Sequence, residues 1–184
     1  MLIIGITGTL GAGKGTVVEY LTCKKGFVHY SVRAYLLDEI RRRGMPENRD
    51  SMYFLANELR AQHGPSFVTD QLYGKAVESK ADCIIESIRT PGEIFSLRGK
   101  GNFFLFAVDA DRKLRYLRIT ERQSETDHIS FDTFLENEAR EMETLDPGKQ
   151  NLHACIREAD FLFANDSTKE ALFSAVEKVL LQIM

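Results

Sequence analysis

Short runs of consecutive apolar residues alternate along the chain with longer stretches in which apolar positions recur every three or four residues. "LIIGIT" (Leu2–Thr7), "DCIIES" (Asp82–Ser87), "NFFLFAVDA" (Asn102–Ala110) and "ADFLFAND" (Ala159–Asp166) are apolar at successive positions, the pattern of strands buried on both faces. "FVHY" (Phe27–Tyr30) reads as a shorter strand. Between them lie helical patterns: Thr16–Thr22, stopping before Gly26; Ala34–Gly44; Asp50–Gly64, with Asp50 as N-cap; and a helix with Pro65 in its first turn, running to about Lys80. A helix carrying Arg115 to Arg122 follows the fourth strand. Another resumes at Phe131, with Phe134, Leu135, Ala139 and Met142 on its apolar side and Arg140 off it. The last helix starts at Ser167, where Ser167 and Glu170 have the spacing of a capping box, and Leu172, Phe173, Val176, Leu180 and Ile183 share one face. Helices placed between uniformly apolar strands predict a three-layer α/β/α fold around a parallel sheet of about five strands. The phenylalanines of the fourth and fifth strands are then core. They are not a platform for stacking bases, because no basic residues interleave with them.

With 184 residues the chain suits a single domain. A net charge of −3 removes the global electrostatic case for nucleic acid or an anionic membrane as partner. Arg41–Arg43 point in different directions around a helix and read as a solvated face. The three cysteines, Cys23, Cys83 and Cys155, form neither a disulfide framework nor a zinc spacing, which fits reduced thiols in a cytoplasmic protein. His29, His128 and His153 form no metal spacing either. No apolar run reaches membrane-spanning length, and the first breaks at Gly5 with no basic flank, so neither a span nor a signal peptide is expected. Composition sets no oligomeric state.

The unusual feature is a cluster of glycines after the first strand. Gly8 to Lys14 has the spacing Gly-x-x-x-x-Gly-Lys, behind a strand and in front of a helix, which is the context of a phosphate-binding loop. Glycine lets the backbone wrap so that successive N–H groups face inward, the helix adds its own unpaired N–H groups, and Lys14 brings a mobile charge for the β- and γ-phosphates. Gly15 follows the lysine where a Ser or Thr is usual, and Thr16 comes one residue later. This "GxGKGT" form resembles that of adenylate kinase and its nucleoside-monophosphate kinase relatives. The resemblance implies ATP with Mg²⁺ as cofactors, Gly8, Gly11, Ala12, Gly13, Lys14, Gly15 and Thr16 around the donor phosphates, and a metal held mainly by phosphate oxygens, waters and acidic residues.

Arg115, Arg118 and Arg122, at i, i+3 and i+7, share one face of their helix. The helix, the polar stretch Gln123–His128 and the next helix resemble the lid of the same kinases, spanning about 118–140. On that resemblance Arg118 stacks on the adenine, Arg122 reaches phosphate, and Arg140 is a further phosphate ligand. Arg115 reads rather as solvated. Glu86 ends the third strand, at the carboxyl edge where α/β sheets bind ligands, placed to hold a Mg²⁺ water or to accept the acceptor hydroxyl's proton. Asp109 has a weaker form of the same argument. Glu136, Glu138, Glu141 and Glu143 are expected to face water. His63, beside Gly64 and Pro65, is equally a catalytic candidate and a helix-end residue.

"GTLGAGKGT", "EIRRRG", "ANELRAQHGPS", "IIESIRT", "LRYLRITER" and "EADFLFAND" occur in the order seen in a dephospho-CoA-kinase-like group of P-loop nucleotide kinases, which the chain resembles over nearly its whole length. A similar segment precedes the deaminase domain of some deoxycytidylate deaminases, but the zinc signature of that domain is missing here. The resemblance implies an acceptor-binding arm over about 31–80, with Arg33, Arg60 and Arg89 to read an acceptor phosphate, and Asn165 and Asp166 bordering the adenine. Two departures fall on the acceptor side. Arg33-Ala34 and Leu37 replace a usual Gly-Asp and Arg, and Glu86-Ser87 stands where Asp-Gly is usual. The expectation is an ATP-dependent phosphotransferase acting on a small nucleotide- or nucleoside-type acceptor. A dephospho-CoA kinase and a non-catalytic nucleotide-binding regulator are the alternatives.

Overall fold

The computed structural model of the chain describes residues 1–122, 129–142 and 149–184. In chain order it comprises β1 (Ile3–Gly8), α1 (Lys14–Lys25), β2 (Val28–Ser31), α2 (Val32–Arg42), α3 (Arg49–His63), α4 (Phe67–Ser79), β3 (Cys83–Glu86) and α5 (Pro91–Arg98). There follow β4 (Phe103–Asp109), α6 (Arg112–Arg122), α7 (Phe131–Met142), α8 (Leu152–Arg157), β5 (Phe161–Ala164) and α9 (Lys169–Ile183). The five strands pair in the order β2-β3-β1-β4-β5, every pair parallel. This is the three-layer α/β/α architecture expected from the apolar runs.

Alternate residues of the strands divide the core in two. Ile3, Cys83, Ile85, Phe103 and Leu105 meet Leu36, Leu55, Leu72, Leu97 and Cys155 from α2 to α5 and α8. Ile4, Ile6, Ile84, Phe106, Val108 and Phe163 meet Val17 and Leu21 of α1 and Leu172, Val176 and Leu180 of α9. A side chain is excluded at Gly5, where a Cβ would lie 2.6 Å from Ile88 and 2.7 Å from the Phe103 ring. The connection leaving β1 therefore covers one face, and those leaving β3 and β4 cover the other. Loops that part in this way open a crevice at the carboxyl edge of the central strand, here at Gly8.

Helix ends correct several expectations. Asn48, not Asp50, caps α3, accepting from the Ser51 amide at 2.8 Å, and Asp50 instead pairs with Arg140. Pro65 lies ahead of α4, whose N-cap is Ser66. Thr168, not Ser167, caps α9 by accepting from the Ala171 amide at 3.2 Å. Two helices were not foreseen. α5 has a full capping box between Thr90 and Glu93 with Pro91 in its first turn, a signature present in "TPGE"; α8 is a six-residue helix capped by Asn151. His63 closes α3 and stacks on Phe67 with ring centroids 4.4 Å apart.

In α7 the inward face is Phe134 and Glu138, while Ala139 is exposed. Glu138 is only 7% exposed because Arg115, itself 4% exposed, donates to it at 2.5 Å. Arg115 is thus a buried structural residue, not a solvated one. Glu141 is also drawn inward, whereas Glu136 does face water. Glu143 and the polar stretch 123–128, with His128, lie outside the described residues.

Candidate functional site

β1 runs into the crevice and ends at Gly8, whose φ of 137° and whose neighbour both require glycine: a Cβ there would lie 2.0 Å from the Val108 carbonyl oxygen. Gly13, with φ 98°, is the N-cap of α1, and a Cβ on it would lie 2.3 Å from Asn165 Nδ2. Between them the chain turns tightly. Ala12 donates its amide to the Thr9 carbonyl at 3.3 Å and accepts from Asn165 Nδ2 at 2.8 Å. The amides of Gly11, Gly13, Lys14 and Gly15 have no acceptor among the described residues. Four open donors at a helix start form a cradle for anionic oxygens. Gly11, Gly13, Lys14, Gly15 and Thr16 line the crevice; Gly8 and Ala12 shape the loop from behind.

Lys14 donates from Nζ to the Gly8 and Thr9 carbonyls, each at 2.8 Å. Desolvation in the crevice, reinforced by the nearby Arg89 charge, lowers its pKa to about 8, against the opposing pull of Glu86 and Glu141. Glu86, at the end of β3, accepts from His29 Nε2 at 3.0 Å. Burial disfavours its ionised form, but the His29 hydrogen bond and the Lys14 and Arg89 charges outweigh this and hold the carboxyl below its usual range. Asp109 is occupied at the loop's base, accepting from Thr9 Oγ1 at 2.5 Å.

α6 brings Arg118 and Arg122 to the crevice. Arg118 Nη2 donates to the Asn165 carbonyl at 2.8 Å, while its buried Nη1 has no partner among the described residues. Asn165, 7% exposed, ties the loop after β5 to the glycine loop. Asp166 instead accepts from the Asp111 amide at 2.6 Å and does not line the crevice. Arg115 sits behind, donating to the Ala110 and Leu10 carbonyls at 2.8 and 3.2 Å, so that α6 props the glycine loop.

On the acceptor side Arg33, Arg60 and Arg89 all line the cavity and Arg140 does not. Arg140 pairs with Asp50 at 2.9 Å and stacks on the Tyr53 ring, 4.7 Å from its centroid. Arg60, 5% exposed, is held at 3.1 Å by Glu93, whose other oxygen takes the Arg89 and Thr90 amides at 2.7 and 3.0 Å. Arg89 is clasped by Glu141 and reaches Gln150 Oε1 at 3.3 Å. Burial opposes ionisation of Glu141, yet the Arg89 charge and hydrogen bond, helped by Lys14 and Arg49, keep the carboxyl below its usual range.

These groups surround one cavity of about 650 Å³, a size that takes a small-molecule ligand. Sequence reasoning missed Arg49, Tyr53, Glu141, Gln150 and Lys169 of its lining. None sits in a local motif; the fold alone gathers them. The open amides and the orphaned Arg118 nitrogen fit a polyphosphate ligand. Glu86 and Thr16 line the cavity on the side of the open amides, and these two hard oxygen donors would fit a Mg²⁺ held mostly by phosphate and water oxygens.

A family described as an AAA domain (AAA_18) matches residues 4–146. A UPF0200 protein of Pyrobaculum aerophilum is 29% identical over 183 residues, covering 98% of both chains. One from Methanothermobacter thermautotrophicus is 34% identical over 145 residues, 77% of this chain and 73% of its own. Among solved structures, TT1252 from Thermus thermophilus superposes with a TM-score of 0.63 at 20% identity, covering 100% of this chain and 98% of that one. Shikimate kinase from Bacteroides thetaiotaomicron superposes with a TM-score of 0.55 at 14% identity, over 98% of each chain. At such identities the structures share the fold.

Proposed function

The chain belongs to the AAA-domain family and to the UPF0200 proteins, and we propose that it is an ATP-dependent phosphotransferase acting on a small nucleotide- or nucleoside-type acceptor. The observation that supports this most is the row of open amides at Gly11, Gly13, Lys14 and Gly15 beside the Arg118 Nη1 that has no partner among the described residues, on the wall of a cavity of about 650 Å³. The loop amides hold the donor phosphates. Lys14 leaves the Gly8 and Thr9 carbonyls for the β- and γ-oxygens. Arg118 and Arg122 approach from α6 to spread charge over the transferring group, work that dominates phosphoryl transfer. Bound Mg²⁺ would neutralise phosphate charge. Glu86, ionised and fixed by His29, is the group to orient an acceptor hydroxyl or accept its proton. A kinase fold shared with shikimate kinase is compatible with a small-molecule acceptor.

A second reading, a regulatory module that binds nucleotide without turnover, draws on Glu86-Ser87 and on the internal engagement of the acceptor-side arginines. One assay separates the two. ADP release is followed with ATP, Mg²⁺ and a panel of nucleosides, nucleoside monophosphates and dephospho-CoA. A kinase releases ADP only with its acceptor, and Lys14→Ala abolishes that release. Tight triphosphate binding with no acceptor-dependent release across the panel leaves the regulator.

A further inference from the structure

The acceptor half of the cavity is rich in arginine, yet every arginine there already has an interaction within the protein. Arg60 is paired to Glu93 at 3.1 Å with both side chains almost fully enclosed. Arg33 and Arg49 are each engaged. Arg140, just outside, is held by Asp50. Arg89, the residue placed by resemblance to read an acceptor phosphate, is gripped by Glu141 from α7 and touched by Gln150 Oε1. The Arg89–Glu141 pair is poorly exposed, at 22% and 14% of the two side chains. An acceptor phosphate reaching Arg89 would stand against an ionised carboxylate in a desolvated cleft, where like charges repel strongly.

An ionised carboxylate offers only acceptor sites, and the Gln150 amide adds two donors; together they suit a hydroxyl, which both donates and accepts. Apolar and aromatic side chains of α2 and α3, Val32, Leu36, Met52 and Tyr53, also line the cavity. Resting on the phosphotransferase reading above, we propose that Glu141 is a specificity-determining residue: it admits an acceptor that turns an uncharged, hydroxyl-bearing group toward Arg89 and rejects a phosphorylated one. The acceptor class narrows to nucleoside-type compounds, with the ring against the apolar lining at Met52 and Leu36 and a free hydroxyl for transfer.

The test uses inorganic phosphate as probe, by equilibrium dialysis, on the full chain with β,γ-imido ATP and Mg²⁺ present to fill the donor half. Glu141→Gln keeps the shape and removes the charge. It should bind phosphate at least about tenfold more tightly than the wild type, as expected from removing one like charge at contact distance. Adding Arg89→Gln should cancel the gain, which places the bound phosphate on Arg89. Equal or weaker binding by Glu141→Gln, no binding by either protein, or a gain that survives Arg89→Gln would overturn the proposal. So would wild-type turnover of a nucleoside monophosphate in preference to its nucleoside. Should Glu141→Gln fail to fold by circular dichroism, Glu141→Ser is read in the same way. Binding of the imido triphosphate is measured separately. Its absence counts against the nucleotide reading, while the phosphate ratio is still read, so the two failures separate.

Discussion

Lys14 shows how a single side chain carries the balance of the site. Desolvation, with Arg89 nearby, sets its pKa at about 8 in the folded protein, below its value of 10.5 in an unperturbed chain. Above pH 8 the empty site increasingly holds a neutral amine, and a polyphosphate has to recharge it. ADP affinity is therefore expected to fall as pH rises from 7 to 9, with net proton uptake on binding near pH 8 to 9. Calorimetry in two buffers of different ionisation enthalpy measures that uptake, and an affinity flat across this range with no uptake would contradict it. Ser87 is the other telling residue. Its φ of 73° lies in the left-handed region, beside Glu86 and on the cavity wall. Ser87→Gly should raise the unfolding free energy by roughly 0.5–1 kcal/mol, read as a higher urea midpoint at an unchanged m-value, because it relieves a strained backbone. A lower midpoint would mean that the serine side chain outweighs the strain.

At the scale of elements, α6 and α7 are joined by a buried ion pair that neither helix's pattern announces. Arg115 reaches through α6 to the Leu10 carbonyl of the glycine loop while Glu138 of α7 holds its guanidinium at 2.5 Å and Arg112 at 2.9 Å. Removing one partner leaves a buried charge behind. Glu138→Ala should cost about 3–5 kcal/mol, which for a chain of this size lowers the melting temperature by roughly 6–20 °C. It should also weaken ADP binding, since Arg115 props the loop. Arg115→Met with Glu138→Leu should recover most of the stability. A loss below about 1 kcal/mol in the single variant would place the pair in the class of solvent-screened contacts. Periodicity alone had put Glu138 outside and Ala139 inside, because an acidic residue scores as surface unless its partner on another helix is known.

For the molecule as a whole, the two apolar clusters lie back to back on one sheet and share its strands. We propose that the chain unfolds as one domain, with fluorescence and circular dichroism transitions coinciding. ADP with Mg²⁺ at about a hundred times its Kd should add roughly 2.7 kcal/mol and raise the melting temperature by about 5–10 °C. Two separated transitions, with only one moved by ADP, would divide the chain into independent units.

What the amino-acid order determines by itself is everything written in short-range chemistry. Uniformly apolar runs dictate the buried parallel strands β1, β3 and β4, although the run at β5 falls on the sheet edge and leaves Leu162 exposed on the face that no described helix covers. Gly8 to Lys14 dictates a loop whose amides turn inward, because only glycine tolerates those backbone angles and that closeness to Val108. The capping box "TPGE" was equally local and went unread. Partnership was decided only in three dimensions. Arg60 and Arg89 looked alike as free cations along the chain; Glu93 and Glu141, 33 and 52 residues away, decide that both are already neutralised. The charge of a site is a sum over neighbours in space, and the chain brings those neighbours together only when it folds.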